Sequence, residues 1–150
     1  MNLSRRITLA GILGLAAGAA AAHPRGGRGG PVSPAEMEER IERFIKHVAV
    51  EVDATPEQTE SLTAIAKSAA RDLAPLRAQG AEMRKQGLAL FSAPTIDRNA
   101  VEQLRAKRMQ HADATSRRIT QALADAAEVL TPEQRQKAAA RAARWRGRFT

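Results

Sequence analysis

Leu130 to Ala138 reads LTPEQRQKA, and Ala54 to Leu62, 76 residues earlier, reads ATPEQTESL. The shared Thr-Pro-Glu-Gln is a helix start. Thr at the N-cap accepts from the amide three residues on, and Pro fits the first helical position, where a missing N–H removes no bond. Glu then faces the positive end of the helix dipole, and Gln reaches back to the N-cap amide to complete a capping box. Thr55, Pro56 and Gln58, and later Leu130, Thr131, Pro132 and Gln134, therefore fix where two helices begin. Each cap contributes about 1 kcal/mol. Ser33-Pro34-Ala35-Glu36 is a third start of the same kind.

Working outward, the residues after Gln58 form an unusually regular seam. Leu62, Ala66, Ala69, Leu73, Leu76, Gly80, Met83, Gly87 and Leu90 alternate spacings of four and three. A 3.5-residue period predicts a long helix wound against a partner, running roughly 50 Å at 1.5 Å per residue. Gly80 and Gly87 stand on that seam, so the partner can approach the backbone closely there. Pro75 lies within the helix and is expected to kink or break it. FSAPTID, residues 91–97, ends it, and Asp97 is the best N-cap for the next helix, whose stripe is Val101, Leu104, Ala112, Thr115, Ile119, Ala122 and Ala126, interrupted by Arg108. A short turn between two long helices predicts an antiparallel hairpin. Before it, Met37, Ile41, Phe44 and Val48 mark a short helix ending near Val50, and after Thr131 a last helix carries Ala138, Ala142 and Trp145 on one side. Nothing alternates with period two, so the fold class is all-α, with four helices.

The N-terminus reads as an address. Residues 1–22 carry Arg5 and Arg6, a short apolar run and Ala20-Ala21-Ala22, the features of a secretory signal peptide too short to span a bilayer. Thr8 stands where a twin-arginine signal usually has Phe, which favours the Sec route. Residues 23–32 are a flexible Gly- and Arg-rich leader, 33–146 the helical domain, and 147–150 a basic tail. Export to the bacterial periplasm is expected, with no transmembrane span once the signal is removed. The chain has no cysteine, so no disulfide supports the fold.

Charge is unevenly spread. Residues 33–60 hold eight acids and three bases, whereas residues 61–150 hold eight acids and seventeen bases. The hairpin is thus the basic part, with Arg77, Arg84, Arg105 and Arg108 as candidate contacts for acidic or unfolded partners. Nucleic acid is not an expected partner, because the chain reads as exported and no aromatic side chain punctuates these arginines.

Enzymatic chemistry finds little footing. With no cysteine, three histidines and no Gly-rich turn after a strand, the sequence offers no activated nucleophile. Glu57 and Glu133 sit in first helical turns, where capping accounts for them. No cofactor is expected. A zinc or nickel site would need ligands one turn apart on a helix face; His47 and His111 lack such mates and would have to meet each other and a carboxylate such as Glu51.

The two T-P-E-Q copies, each opening a helix in an all-helical chain behind a signal peptide, resemble the LTxxQ motif of the Spy/CpxP family. Leu130 to Gln134 matches it fully, and Ala54 to Gln58 has Ala for Leu. The resemblance covers roughly Ser33 to Arg146. It implies a cradle-like four-helix homodimer acting as a periplasmic, ATP-independent, holdase-type chaperone for unfolded periplasmic or outer-membrane proteins. Relatives implied by the same resemblance respond to envelope stress by binding the periplasmic domain of a sensor kinase, or act as heavy-metal sensors or buffers. Those metal sensors use helical His pairs that this chain lacks.

Overall fold

The computed structural model describes residues 33–146. The expected signal peptide at 1–22, leader at 23–32, basic tail at 147–150 and side chain of Trp145 lie outside what it describes. Four helices follow in order: α1 Pro34–Val52, α2 Pro56–Ser92, α3 Arg98–Val129 and α4 Pro132–Arg146. No strand occurs among the described residues, and the protein is all-α.

Helix α1 opens on a full capping box. The Ser33 amide donates to Glu36 Oε2 at 2.8 Å, and the Glu36 amide donates to Ser33 Oγ at 3.2 Å. It buries Ile45, Val48, Ala49 and Val52, so it continues two residues past the expected end. What stops it is Asp53, at φ 54° and ψ 45°, a left-handed position that Asp tolerates better than most side chains. The Ala54 amide then turns back to the Ala49 carbonyl at 2.9 Å.

Helix α2 buries the seam that its spacing predicts. Leu62, Ala69, Leu73, Gly80 and Gly87 are buried, and Ala66, Leu76, Met83 and Leu90 are half-buried. Of the kink or break expected at Pro75, the break does not occur, since the helix runs unbroken from Pro56 to Ser92. Pro75 is exposed, so its ring stands clear of the packed seam.

On α3 the expected stripe needs one correction. Leu104, Ala122 and Ala126 are buried, but Ala112 is exposed and its neighbour His111 is half-buried. A polar residue has taken the seam position that apolar pattern-reading assigns to alanine.

Two compact units divide the chain, one built from the described residues up to Lys67 and from Ala122 onward, the other from Ser68–Gln121. In the first, Ile45, Val48, Val52, Leu62, Ala126, Leu130 and Ala138 form the core, with Ile41, Phe44 and Leu123 packed against it. Burying each large aliphatic side chain contributes about 1.5–3 kcal/mol. The second unit is the hairpin: the later part of α2, a turn, and the earlier part of α3. Asp97 caps α3 there, accepting from the Asn99 and Ala100 amides at 2.9 and 3.0 Å.

Candidate functional site

The repeated motif folds into a hydrogen-bonded node within the first unit. The Thr55 amide donates to Gln58 Oε1 at 2.9 Å, and the Gln58 amide donates to Thr55 Oγ1 at 3.2 Å. Thr131 and Gln134 repeat this box at 2.9 and 3.3 Å. The two glutamines then bond to each other. Gln58 Nε2 donates to Gln134 Oε1 at 3.0 Å and to the Val129 carbonyl at 2.8 Å. Gln134 Nε2 donates to Gln58 Oε1 at 2.9 Å and to the Asp53 carbonyl at 2.8 Å. Each amide oxygen accepts twice and each amide nitrogen donates twice, so both groups are fully satisfied, including buried Gln134.

The node joins the end of α1 to the start of α2, and the end of α3 to the start of α4. The left-handed turn at Asp53 presents the carbonyl that Gln134 needs, and Lys137 pairs with the Asp53 carboxylate. Glu57 and Glu133 are both held below the usual carboxylate range, first by their own backbone amides and then by the Thr55 and Thr131 hydroxyls. Sequence reasoning identified each box separately but missed the bond between them. The signal available was the strict repetition of Gln, since a box alone accepts Glu in that place.

Elsewhere in the first unit, ion pairs hold α1. Lys67, with its side chain 20% exposed, reaches Glu42 at 2.5 Å and Glu38 at 3.4 Å. Its hydrogen bond to Glu42 lowers the Glu42 carboxyl and raises the Lys67 ammonium. Arg141 pairs with Glu51, chiefly by a hydrogen bond that lowers the Glu51 carboxyl.

In the hairpin, polar side chains of α3 press onto the backbone of α2. His111 Nε2 lies 2.6 Å from the Leu76 carbonyl, and because that oxygen only accepts, Nε2 carries the proton. Arg108 Nη2 donates to the Met83 carbonyl at 3.3 Å. Both carbonyls sit four residues before a seam glycine, Gly80 and Gly87. The absent side chains explain the approach. A Cβ on Gly80 would meet His111 Cε1 at 3.2 Å, and one on Gly87 would meet Arg108 Nη2 at 2.9 Å. Further along, Arg118 donates to Asp72 at 2.7 Å and to Ser68 Oγ at 3.3 Å.

The four arginines singled out from sequence all fall in this unit, in different circumstances. Arg84 is exposed and Arg77 half-buried. Arg105 grips Glu102 with three hydrogen bonds of 2.7–2.9 Å, and Arg108 is seated over Gly87. The two histidines fall apart. His47 belongs to the first unit, 3.2 Å from Glu51, and His111 to the hairpin. No group of three His, Cys, Asp or Glu side chains among the described residues could hold a metal ion.

At the turn-end of the hairpin, Leu88, Phe91 and Ile96 are 75, 64 and 46% exposed. Beside them lies an open groove of about 420 Å³, with Leu90, Ala93, Ala100 and Leu104 among its lining and Asp97 and Lys107 contributing charge.

An all-helical chain with two LTxxQ-type helix starts locked together through their glutamines defines a class by its construction. Residues 40–142, which contain the whole node and the whole hairpin, match the family described as LTXXQ motif family protein, and the chain belongs to that family, the Spy/CpxP type. No curated protein and no solved structure matches it. Among the described residues, no helix is long and apolar enough to cross a membrane.

Proposed function

We propose that this protein is an exported, ATP-independent holdase of the bacterial periplasm, without enzymatic activity, that binds unfolded periplasmic or outer-membrane proteins through the hairpin. The observation that carries the reading is that unit's surface: Leu88, Phe91 and Met109 are exposed on the same two helices as Arg84, Lys85, Arg105 and Arg108. Such a surface attracts partly acidic, partly apolar chains at long range while offering each only small contact patches, so capture is fast and release remains possible. The groove at the turn-end would take a single apolar side chain of a client. Family membership supports the same reading and, with it, a homodimer.

Of the candidate arginines, Arg84 is the first choice for client contact. Arg105 has part of its charge offset by Glu102, and Arg108 also serves the α2 backbone. The test is aggregation of a chemically denatured client at stoichiometric chaperone. Suppression at low salt that weakens as salt is added, and weakens further in Arg84→Glu, is expected. Aggregation unchanged by the protein at low salt overturns the proposal.

A further inference from the structure

The hairpin's turn-end has a composition found nowhere else in the described chain. Residues 88–96, LALFSAPTI, contain no charged side chain, and all but Leu90 are exposed. Its large apolar groups stand outward as separate knobs, Leu88, Phe91 and Ile96. On both sides the stretch is bounded by cations: Arg84 and Lys85 before it, Arg98 after it, and Lys107 at the groove edge. The nearest acid, Asp97, is committed to the Asn99 and Ala100 amides, where the dipole of α3 offsets its charge.

Protein partners usually take apolar groups into concavities, and a second copy of this turn-end would bring its own cations against these. A fluid, negatively charged surface accepts outward knobs without needing a matching pocket. The vertical spacing also fits. Lys85 precedes Phe91 by six helical residues, about 9 Å of rise, comparable with the roughly 5–10 Å by which interfacial segments sink into the headgroup and acyl boundary. With Phe91 among the acyl chains, Lys85 lies at the level of the lipid phosphates.

We propose that the turn-end of the hairpin docks on an anionic phospholipid bilayer, inserting Leu88, Phe91 and Ile96 between headgroups while Arg84, Lys85, Arg98 and Lys107 meet lipid phosphates. The chain lies on the membrane rather than spanning it, and the docking surface shares Leu88, Phe91, Arg84 and Lys85 with the client-binding face proposed above, so membrane and client compete for it.

The absence of cysteine makes a direct test available. Phe91→Cys, in the protein isolated from cells expressing the full sequence, carries one environment-sensitive dye. Vesicles of phosphatidylcholine with phosphatidylglycerol should shift its emission to the blue, and vesicles of phosphatidylcholine alone should do so much less. In co-sedimentation, Leu88→Ser/Phe91→Ser/Ile96→Ser should lose anionic-vesicle binding by roughly tenfold or more. Lys85→Glu/Arg98→Glu should lose it by a similar factor. Val50→Ser, which alters an exposed side chain in the other unit, should bind as the parent does. The N-terminus is common to all, so differences report the turn-end. A dye at position 91 that ignores vesicles, or a triple-serine variant that binds them undiminished, overturns the proposal. So does a dye that shifts only on raising the protein concentration, which assigns the patch to a second copy, or only on adding denatured client. No client is present in the vesicle arms, so failure here leaves the holdase reading standing.

Discussion

At its start α2 meets Ile45, Val48, Val52 and Leu130 in an aliphatic core and bonds to α4 through a neutral amide pair. Past Ser68 the same helix meets α3 through glycine, alanine and bare carbonyls, onto which His111 and Arg108 press. The first arrangement buries branched side chains and satisfies every polar atom of its node. The second buries only Ala69, Ala70, Leu73 and Leu104 as hydrophobic residues and leaves Leu88, Phe91, Ile96 and Met109 exposed. One unit is built to hold shape, and the other spends its apolar side chains on its surface. Local opening should therefore begin in the hairpin, where buried contacts are fewest.

The sharpest way to break that contrast is at the node. Gln134→Leu keeps the volume but removes four hydrogen bonds, taking their partner from the Asp53 carbonyl and the Thr131 amide and leaving the Gln58 side chain with only its bonds to Thr55 and Val129. At about 1–3 kcal/mol for each buried group left unpaired, partly relieved by water at half-buried Gln58, about 3 kcal/mol of stability should be lost, lowering Tm by roughly 10 °C. Gln58→Leu should follow closely. The double Leu variant should lose less than the sum, because two apolar partners leave fewer orphaned groups. Urea unfolding of all three decides it; strict additivity would show that the amides act independently.

The hairpin contact is probed by its two glycines, which should respond in opposite senses. Alanine in a helix gains about 1 kcal/mol over glycine. At Gly87 the obstructing atom is the far end of the Arg108 side chain, which can swing away, so Gly87→Ala should stabilise by up to about 1 kcal/mol. At Gly80 the obstacle is an imidazole ring pinned 2.6 Å from the Leu76 carbonyl. Gly80→Ala must displace it and should cost about 1 kcal/mol net. Matching signs in chemical unfolding would refute the idea that the glycines serve different neighbours.

What the sequence let through follows the same division. Helix starts and the α2 seam were legible because capping and apolar periodicity are local. The Gln58 to Gln134 bond was not, since it depends on two distant helix starts meeting. The seam of α3 was legible only in part: Arg108 showed as an interruption of the apolar stripe, but His111 and Arg118 occupy positions that pattern-reading gives to Ala112 and Ile119, and only Gly80 and Asp72 opposite make them acceptable. The unbroken course through Pro75 escaped as well, because tolerance there depends on which face of α2 is packed.

A smaller effect is expected at a single cap. Thr131→Ala removes the hydroxyl that receives the Gln134 amide at 3.3 Å and should cost about 1 kcal/mol. The Gln pair survives, so the loss stays well below that of Gln134→Leu. Client binding should persist wherever the variant is folded. Binding lost at unchanged Tm would instead make the motif part of the binding surface.

The smallest effect separates the units by acidity. Lys67 and Arg141 lower Glu42 and Glu51 in the first unit. In the hairpin Glu102 is lowered by Arg105, one turn away on its own helix. A carboxylate depressed on folding contributes stability above its unfolded value, roughly pH 4.3, and loses it as pH falls through the lower folded value. Lys67 works in the other direction, its contribution full below roughly pH 10.4 and lost as pH rises through its raised folded value. Between these limits the pairs add no pH dependence of their own. Below about pH 4 it should fall, and the fall should be shallower in Lys67→Met/Arg141→Met than in the parent, because the unfavourable protonation of Glu42 and Glu51 has been removed. The pairs are solvent-exposed on at least one side, so the difference will be modest. An identical acid slope in parent and variant would mean that these bridges contribute nothing to the fold, and that the first unit rests on its core and its paired glutamines alone.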